Sequence, residues 1–236
     1  IFIQESNSQT INKLGLLYEM DIIVESNYRK AKKYYELAIE KDNNPHAIVR
    51  LGFLYEKGKG VEQNQSIAYD YYKLAAQRDF WFGFYLQGKC HILGKGVEKD
   101  IEKGKHFFKL VEEFDDNDSY YNLGMLYYDG KLVEKDYEKA KYFFELLAKR
   151  NEPNGLLMLG NMYKEGNGFT QNYNEALNCF KLSIKNGSTA GYHNIGNYYY
   201  QIKKDVAKAK YYYELASQNY SYNTSYMLAL IYYQHT

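Results

Sequence analysis

LGFLYEKGKGVEQN, residues Leu51 to Asn64, is one of several versions of a single phrase. A step of 36 residues reaches QGKCHILGKGVEKD (Gln87–Asp100), a second LGMLYYDGKLVEKD (Leu123–Asp136) and a third LGNMYKEGNGFTQN (Leu159–Asn172). A fourth step of 36 gives IGNYYYQIKKD (Ile195–Asp205), with three residues missing from its loop. LGLLYEMDIIVESN (Leu14–Asn27) lies 37 residues back, and LALIYYQ (Leu228–Gln234) lies 33 residues beyond Ile195. Self-similarity at such a period marks small supersecondary units that stack.

Each copy reads as two helices. Leu51, Gly52 and Tyr55 stand at i, i+1 and i+4, so one helical face carries a small residue between larger ones and lets a neighbour approach closely. The second half repeats a small residue followed, three and four positions on, mostly by aromatics. The series is Ala31-Tyr34-Tyr35, Ala68-Tyr71-Tyr72, Gly104-Phe107-Phe108, Ala140-Phe143-Phe144, Ala176-Cys179-Phe180 and Ala209-Tyr212-Tyr213. Four residues before each small residue stands Asn27, Asn64, Asp100, Asp136, Asn172 or Asp205. An Asp or Asn there is expected to cap the second helix by accepting from its free N–H groups. The GKGV link supplies positive φ at glycine, and its Val plugs the loop into the core. Asp21 and Ile23 replace both glycines in the first copy, which predicts a distorted loop there.

A helical hairpin of this size cannot bury its apolar face alone, whereas stacked hairpins share a continuous core. The pattern L-G-x-x-Y…G-x-G-V…[DN]-x-x-x-A-x-x-[YF]-[YF] resembles the Sel1-like repeat family, a relative of the tetratricopeptide repeat. The resemblance covers about residues 10–235, with departures at Gln87 and His91 in the third copy. The expected fold is all-α: a right-handed α/α superhelix (solenoid) of helix-turn-helix repeats of about 36 residues, six full units plus one first helix. A single solenoid is expected over 1–236, with units at about 8–43, 44–79, 80–115, 116–151, 152–187 and 188–220 and a partial one at 221–236. The resemblance implies a non-catalytic protein–protein interaction scaffold or adaptor, with family roles in signalling, membrane-protein quality control and host–microbe contact. The alternatives are a regulatory or targeting arm of a larger enzyme such as a kinase and, more remotely, a hydrolase.

Composition agrees with this reading. Lys and Arg total 30 and Asp and Glu 29, for a net charge of +1, so the basic excess that drives nucleic-acid binding is missing. Mean hydropathy is −0.63, and without an apolar run of about 18 residues no membrane span is expected. The opening IFIQESNSQT has no Met, basic n-region or long h-region, so it is not read as a signal peptide. Two cysteines 89 residues apart make neither a disulfide framework nor a zinc site, and a reducing compartment, the cytoplasm, is expected. The chain holds 29 Tyr and only 2 Pro, consistent with unbroken helices that reuse Tyr at one position.

Gly83 to Cys90, GFYLQGKC, is one residue short of a phosphate-binding loop. Such a loop must be a non-helical turn between strand and helix. In the repeat register this stretch is a first helix, so no cofactor is expected. The five His, at 46, 91, 106, 193 and 235, show no zinc-ligand spacing, and His91 takes a repeat Tyr position, where a core imidazole is expected. Cys90 and Cys179 also fall at packing positions. With no clustered nucleophile, base and oxyanion donors the chain is not read as an enzyme.

Binding is expected on the concave face, which first helices line in the related repeats. The exposed positions should lie two before, two after and five after the Leu of L-G. They include Val49, Phe53 and Glu56, then Tyr85, Lys89 and Ile92, then Tyr121, Met125 and Tyr128. Leu157, Asn161 and Lys164, His193, Asn197 and Tyr200, and Tyr226, Leu230 and Tyr233 complete the series. Phe53, Tyr85, Lys89, Tyr121, Met125, Tyr128, Leu157, Asn161, Asn197, Tyr200, Tyr226 and Tyr233 form the expected site for a protein or peptide partner. Tyr joins a large apolar face to a polar tip, and Asn can hold the amides of an extended peptide. Leu228, Ile231 and Tyr232 would lack a covering second helix, so further chain or a partner is expected at that end.

Overall fold

The computed structural model describes residues 7–20, 27–217 and 222–234. Among the described residues the protein is all-helical, with thirteen α-helices, one π turn and no strand. They are α1 (Ser8–Met20), α2 (Tyr28–Asp42), α3 (Pro45–Lys57), α4 (Gln65–Ala76), α5 (Trp81–Leu93), α6 (Ile101–Val111) and α7 (Asn117–Asp129). Then come α8 (Tyr137–Lys149), α9 (Pro153–Glu165), α10 (Tyr173–Lys185), α11 (Ala190–Tyr198), the π turn Tyr199–Lys203, α12 (Val206–Ser217) and α13 (Tyr222–Gln234). The chain forms two compact units, Ile1–Asp115 and Asp116–Thr236. In the first, the hairpins α1/α2, α3/α4 and α5/α6 pack in succession; in the second, α7/α8, α9/α10 and α11/α12 do so, with α13 against α12.

One construction builds every hairpin. The residue after the L-G Leu is Gly because a ring lies on it. A Cβ on Gly52 would sit 2.4 Å from Tyr72 Cε1, and one on Gly124 would sit 2.4 Å from Phe144 Cε1. Gly15, Gly88, Gly160 and Gly196 meet Tyr35, Phe108, Phe180 and Tyr213 in the same way. Those six rings are all buried, and burying each stabilises the hairpin by roughly 2–3 kcal/mol. The first aromatic of the pair stacks on the repeat Tyr. Tyr18–Tyr34, Tyr55–Tyr71, His91–Phe107, Tyr127–Phe143 and Tyr199–Tyr212 are all near-parallel, with centroids 5.4–6.2 Å apart.

The fifth repeat departs and compensates. Cys179 offers no ring, and Phe169, standing where other loops carry Val, stacks on Tyr163 at 3.8 Å. Two backbone features close the link between helices. Gly58 ends α3 with φ +67°, a conformation that costs a side chain, and Gly94, Gly130 and Gly166 repeat it. The amide of each capping residue donates to the carbonyl of the repeat aromatic, as Asn64 to Tyr55 (2.9 Å) and Asp136 to Tyr127 (3.0 Å). All six expected caps form, from Asn27 with the Lys30 amide (3.0 Å) to Asp205 with the Lys208 amide (3.0 Å). The altered loop at Asp21 and Ile23 lies outside the described residues.

GFYLQGKC lies inside α5. Gly83 lets the α4 backbone come close, since a Cβ there would be 2.4 Å from the Ala76 nitrogen, and Gly88 lies on Phe108. Its glycines serve helix packing, not phosphate binding.

Candidate partner-binding surface

The first helices set the row of residues expected to bind, and the buried rings beneath decide how far each emerges. Val49 and Ile92 do not emerge: they are 3% and 9% exposed. This corrects the expectation of an exposed row. Positions flanking the L-G glycine straddle the ring that fills its hollow, so apolar side chains there turn down onto it. Phe53 meets Tyr72 edge-on at 5.7 Å and Phe82 at 6.1 Å. Tyr85 stacks on Phe82 at 5.9 Å and leans on Phe108 at 5.3 Å. Tyr121 reaches Phe144 at 6.3 Å, and Met125 packs into the same cluster. Leu157 covers the Phe180 cluster and Tyr200 the Tyr213 cluster. These residues, with Lys89, Asn161 and Asn197, are half-buried. Tyr226 and Tyr233 on α13 are 61% and 84% exposed.

Hydrogen bonds hold several members of the row. The Tyr128 hydroxyl donates to Glu165 Oε2 at 2.7 Å, joining α7 to α9, and Asn167 Nδ2 donates to the same carboxylate at 3.0 Å. Burial, then the Glu165 carboxylate, pushes the Tyr128 phenol up to about 12. Asn197 Oδ1 accepts from the Tyr213 hydroxyl at 2.8 Å. In the first unit Tyr35 donates to Glu19 (2.6 Å) and Tyr72 to Glu56 (2.8 Å). Each of these carboxylates also faces a cation from the next repeat, Arg50 at 3.7 Å and Lys95 at 3.6 Å. Sequence reasoning missed these ties, although a signal was present: Glu stands five after the L-G Leu in the first two repeats, where the second aromatic is Tyr.

The groups that could do covalent chemistry are turned inward. Cys90 and Cys179 are buried, and burial pushes both thiols up to about 11, the opposite of an activated nucleophile. His91 is a core imidazole between the Tyr69 hydroxyl (3.0 Å) and the Glu98 carbonyl (3.3 Å), and burial lowers its pKa. Among the described residues no three His, Cys, Asp or Glu side chains gather as metal ligands. Among those residues, too, no helix is long and apolar enough to cross a membrane. At the far end Ile231 is buried against Ala209 and Tyr213 of the preceding helix. Leu228 is half-buried, and the Tyr232 side chain lies outside the described residues.

A cavity of about 260 Å³ opens where the fifth repeat meets the sixth. Leu177, Phe180, Tyr173, Tyr198, Asn194, Asn197 and Gln201 are among the residues that line it.

Comparison with known proteins follows the same pattern. A solved Sel1 repeat protein from Oxalobacter formigenes is 27% identical with a TM-score of 0.60, over 91% of this chain and 87% of that one. A protective antigen of uropathogenic Escherichia coli with an SLR fold is 22% identical with a TM-score of 0.58. That match covers 95% of this chain but 49% of the antigen, so the chain spans about half the antigen's length. An immunity protein of Pseudomonas aeruginosa is 17% identical with a TM-score of 0.50, over 78% of this chain and 68% of that one. No curated protein matches. The Sel1 repeat model matches residues 8–43, 45–80, 85–110, 117–152, 153–188 and 189–221. With six matched repeats, each built from the same ring-on-glycine hairpin, the chain belongs to the Sel1 repeat family.

Proposed function

We propose that the protein is a non-catalytic scaffold or adaptor that holds a protein or peptide partner against the first helices of its repeats. Sel1 repeat proteins are in general interaction scaffolds. The observation that carries the reading is the row of half-buried aromatic, apolar and amide side chains at matching positions of α7, α9 and α11, Tyr121, Met125, Leu157, Asn161 and Asn197, with Tyr200 in the π turn that follows. Half-buried rings are fixed by what lies beneath them and show an edge or face outward. They give a partner contact area at little entropic cost. Asn161 and Asn197 stand one repeat apart, at the spacing an extended peptide would meet in register.

The test is affinity capture with mass spectrometry, using the full chain, Asn161→Arg and Tyr142→Arg. Tyr142 lies on a second helix and is 58% exposed, so neither change empties the core. With melting temperatures unchanged, partners should leave Asn161→Arg and stay on Tyr142→Arg. The reverse pattern rejects the first-helix surface.

A further inference from the structure

The cavity between the fifth and sixth repeats marks a missing piece of chain. In the second, third and fifth repeats the second loop glycine seats on the first residue of the preceding repeat's second helix. Gly60 lies on Tyr28, where a Cβ would be 2.7 Å from Tyr28 Cβ. Gly96 lies on Gln65, where a Cβ would be 2.0 Å from the carbonyl oxygen, and Gly168 lies on Tyr137 at 3.1 Å. The equivalent seat for the sixth repeat is Tyr173, the first residue of α10.

The sixth loop cannot fill that seat. Aligned on Tyr55 and Tyr199, Gln201 matches Lys57 and Ile202 matches Val61, so the three residues equivalent to Gly58–Gly60 are gone. The chain crosses the gap by a π turn, Tyr199–Lys203, which ends at Lys204 with φ +55°. Two consequences are visible. The seat is open, since Tyr173, Tyr198 and Gln201 border the 260 Å³ cavity. The loop plug is stranded: Val61 is half-buried in its own repeat, whereas Ile202 is 44% exposed at the cavity edge.

We infer that this cavity binds a glycine-bearing turn supplied by another polypeptide, Gly-x-Gly followed by an apolar residue. The shape of the ligand follows from the repeats that fill the same seat in cis, where a Cβ would clash at Gly60 and Gly96 and be tight at Gly168, although the fourth repeat carries Leu132 at this loop position. The lining suits a peptide backbone, because it sets the side-chain amides of Asn194, Asn197 and Gln201 beside the apolar Leu177 and Phe180, with the charged Lys164 and Glu165. A second copy of this chain is a poor donor, since Gly60, Gly96 and Gly168 are already seated in their own molecule. The inference shares Asn197 with the first-helix row, but Tyr173, Tyr198 and Ile202 lie outside that row, so shifts at those three residues test it separately.

The experiment titrates the full chain with the peptide Lys-Gly-Lys-Gly-Val-Glu-Gln-Asn, the sequence of residues 57–64, and follows amide shifts. At about 1 mM peptide, shifts should gather at Tyr173, Tyr198, Gln201 and Ile202. A peptide carrying Gly60→Val should bind about tenfold more weakly or worse, because its side chain overpacks the seat. Restoring the loop by inserting Gly-Lys-Gly between Gln201 and Ile202 should abolish binding without lowering the melting temperature. Should that insertion misfold, Asn194→Trp fills the cavity from one wall and should also abolish binding. No shifts with the wild-type peptide, equal binding by the valine peptide, or undiminished binding by a folded loop-restored or Asn194→Trp protein overturns the inference.

Discussion

At the residue scale a hydroxyl separates two kinds of repeat. Tyr35, Tyr72 and Tyr213 reach Glu19, Glu56 and Asn197 at 2.6–2.8 Å. Phe108, Phe144 and Phe180 fill the same hollow without a donor, and the position five after the L-G residue is then Ile92, Tyr128 or Lys164, none an acidic acceptor. Donor and acceptor change together because a half-buried carboxylate that loses its partner keeps its desolvation cost. Tyr72→Phe should therefore destabilise the protein by about 1–3 kcal/mol, and adding Glu56→Ile should recover much of it in denaturant melts. An unchanged midpoint for the single variant would mean that the bond contributes nothing. Titration gives a second expectation. The folded pKa of Tyr128 is raised to about 12, above the ordinary phenol value of about 10. Its contribution is therefore complete below pH 10 and is lost as pH rises towards 12. The melting temperature should fall across that window, less steeply in Tyr128→Phe.

At the scale of the element, caps and compensating pairs carry the prediction. Asp136 accepts from the Lys139 amide at 2.9 Å, and Asp136→Ala should cost about 1 kcal/mol in a chemical melt. Asp136→Asn should be close to neutral. In the fifth repeat, Cys179→Phe alone would push a ring into the space Phe169 fills against Tyr163, so a loss of about 1–3 kcal/mol is expected. Cys179→Phe with Phe169→Val rebuilds the arrangement of the neighbouring repeats and should return most of that stability, a non-additivity typical of residues in contact. The caps were legible in the sequence because one residue type recurs at one offset. The ring exchange was not, since it joins a loop position to a helix position ten residues on, and only contact reveals the pair. The short sixth loop was legible as a deletion, but the π turn and the open seat at Tyr173 depend on how the backbone absorbs it.

At the scale of the whole molecule, the repeat alone indicated the fold, because each hairpin has to bury the same face against its neighbour and repeats the same solution. The binding surface was legible only as a register. Which members of the row emerge depends on the rings below, so Val49 sinks while Tyr121 and Asn161 stay half-open. The central claim is that partners meet the first helices and not the second. Photo-crosslinking tests it most directly, with benzoyl-phenylalanine placed at Tyr121 in one protein and at Tyr142 in another, each exposed to an extract of the cells that make the chain. Protein adducts at position 121 and few at position 142 are the predicted result; adducts at 142 with none at 121 would contradict it.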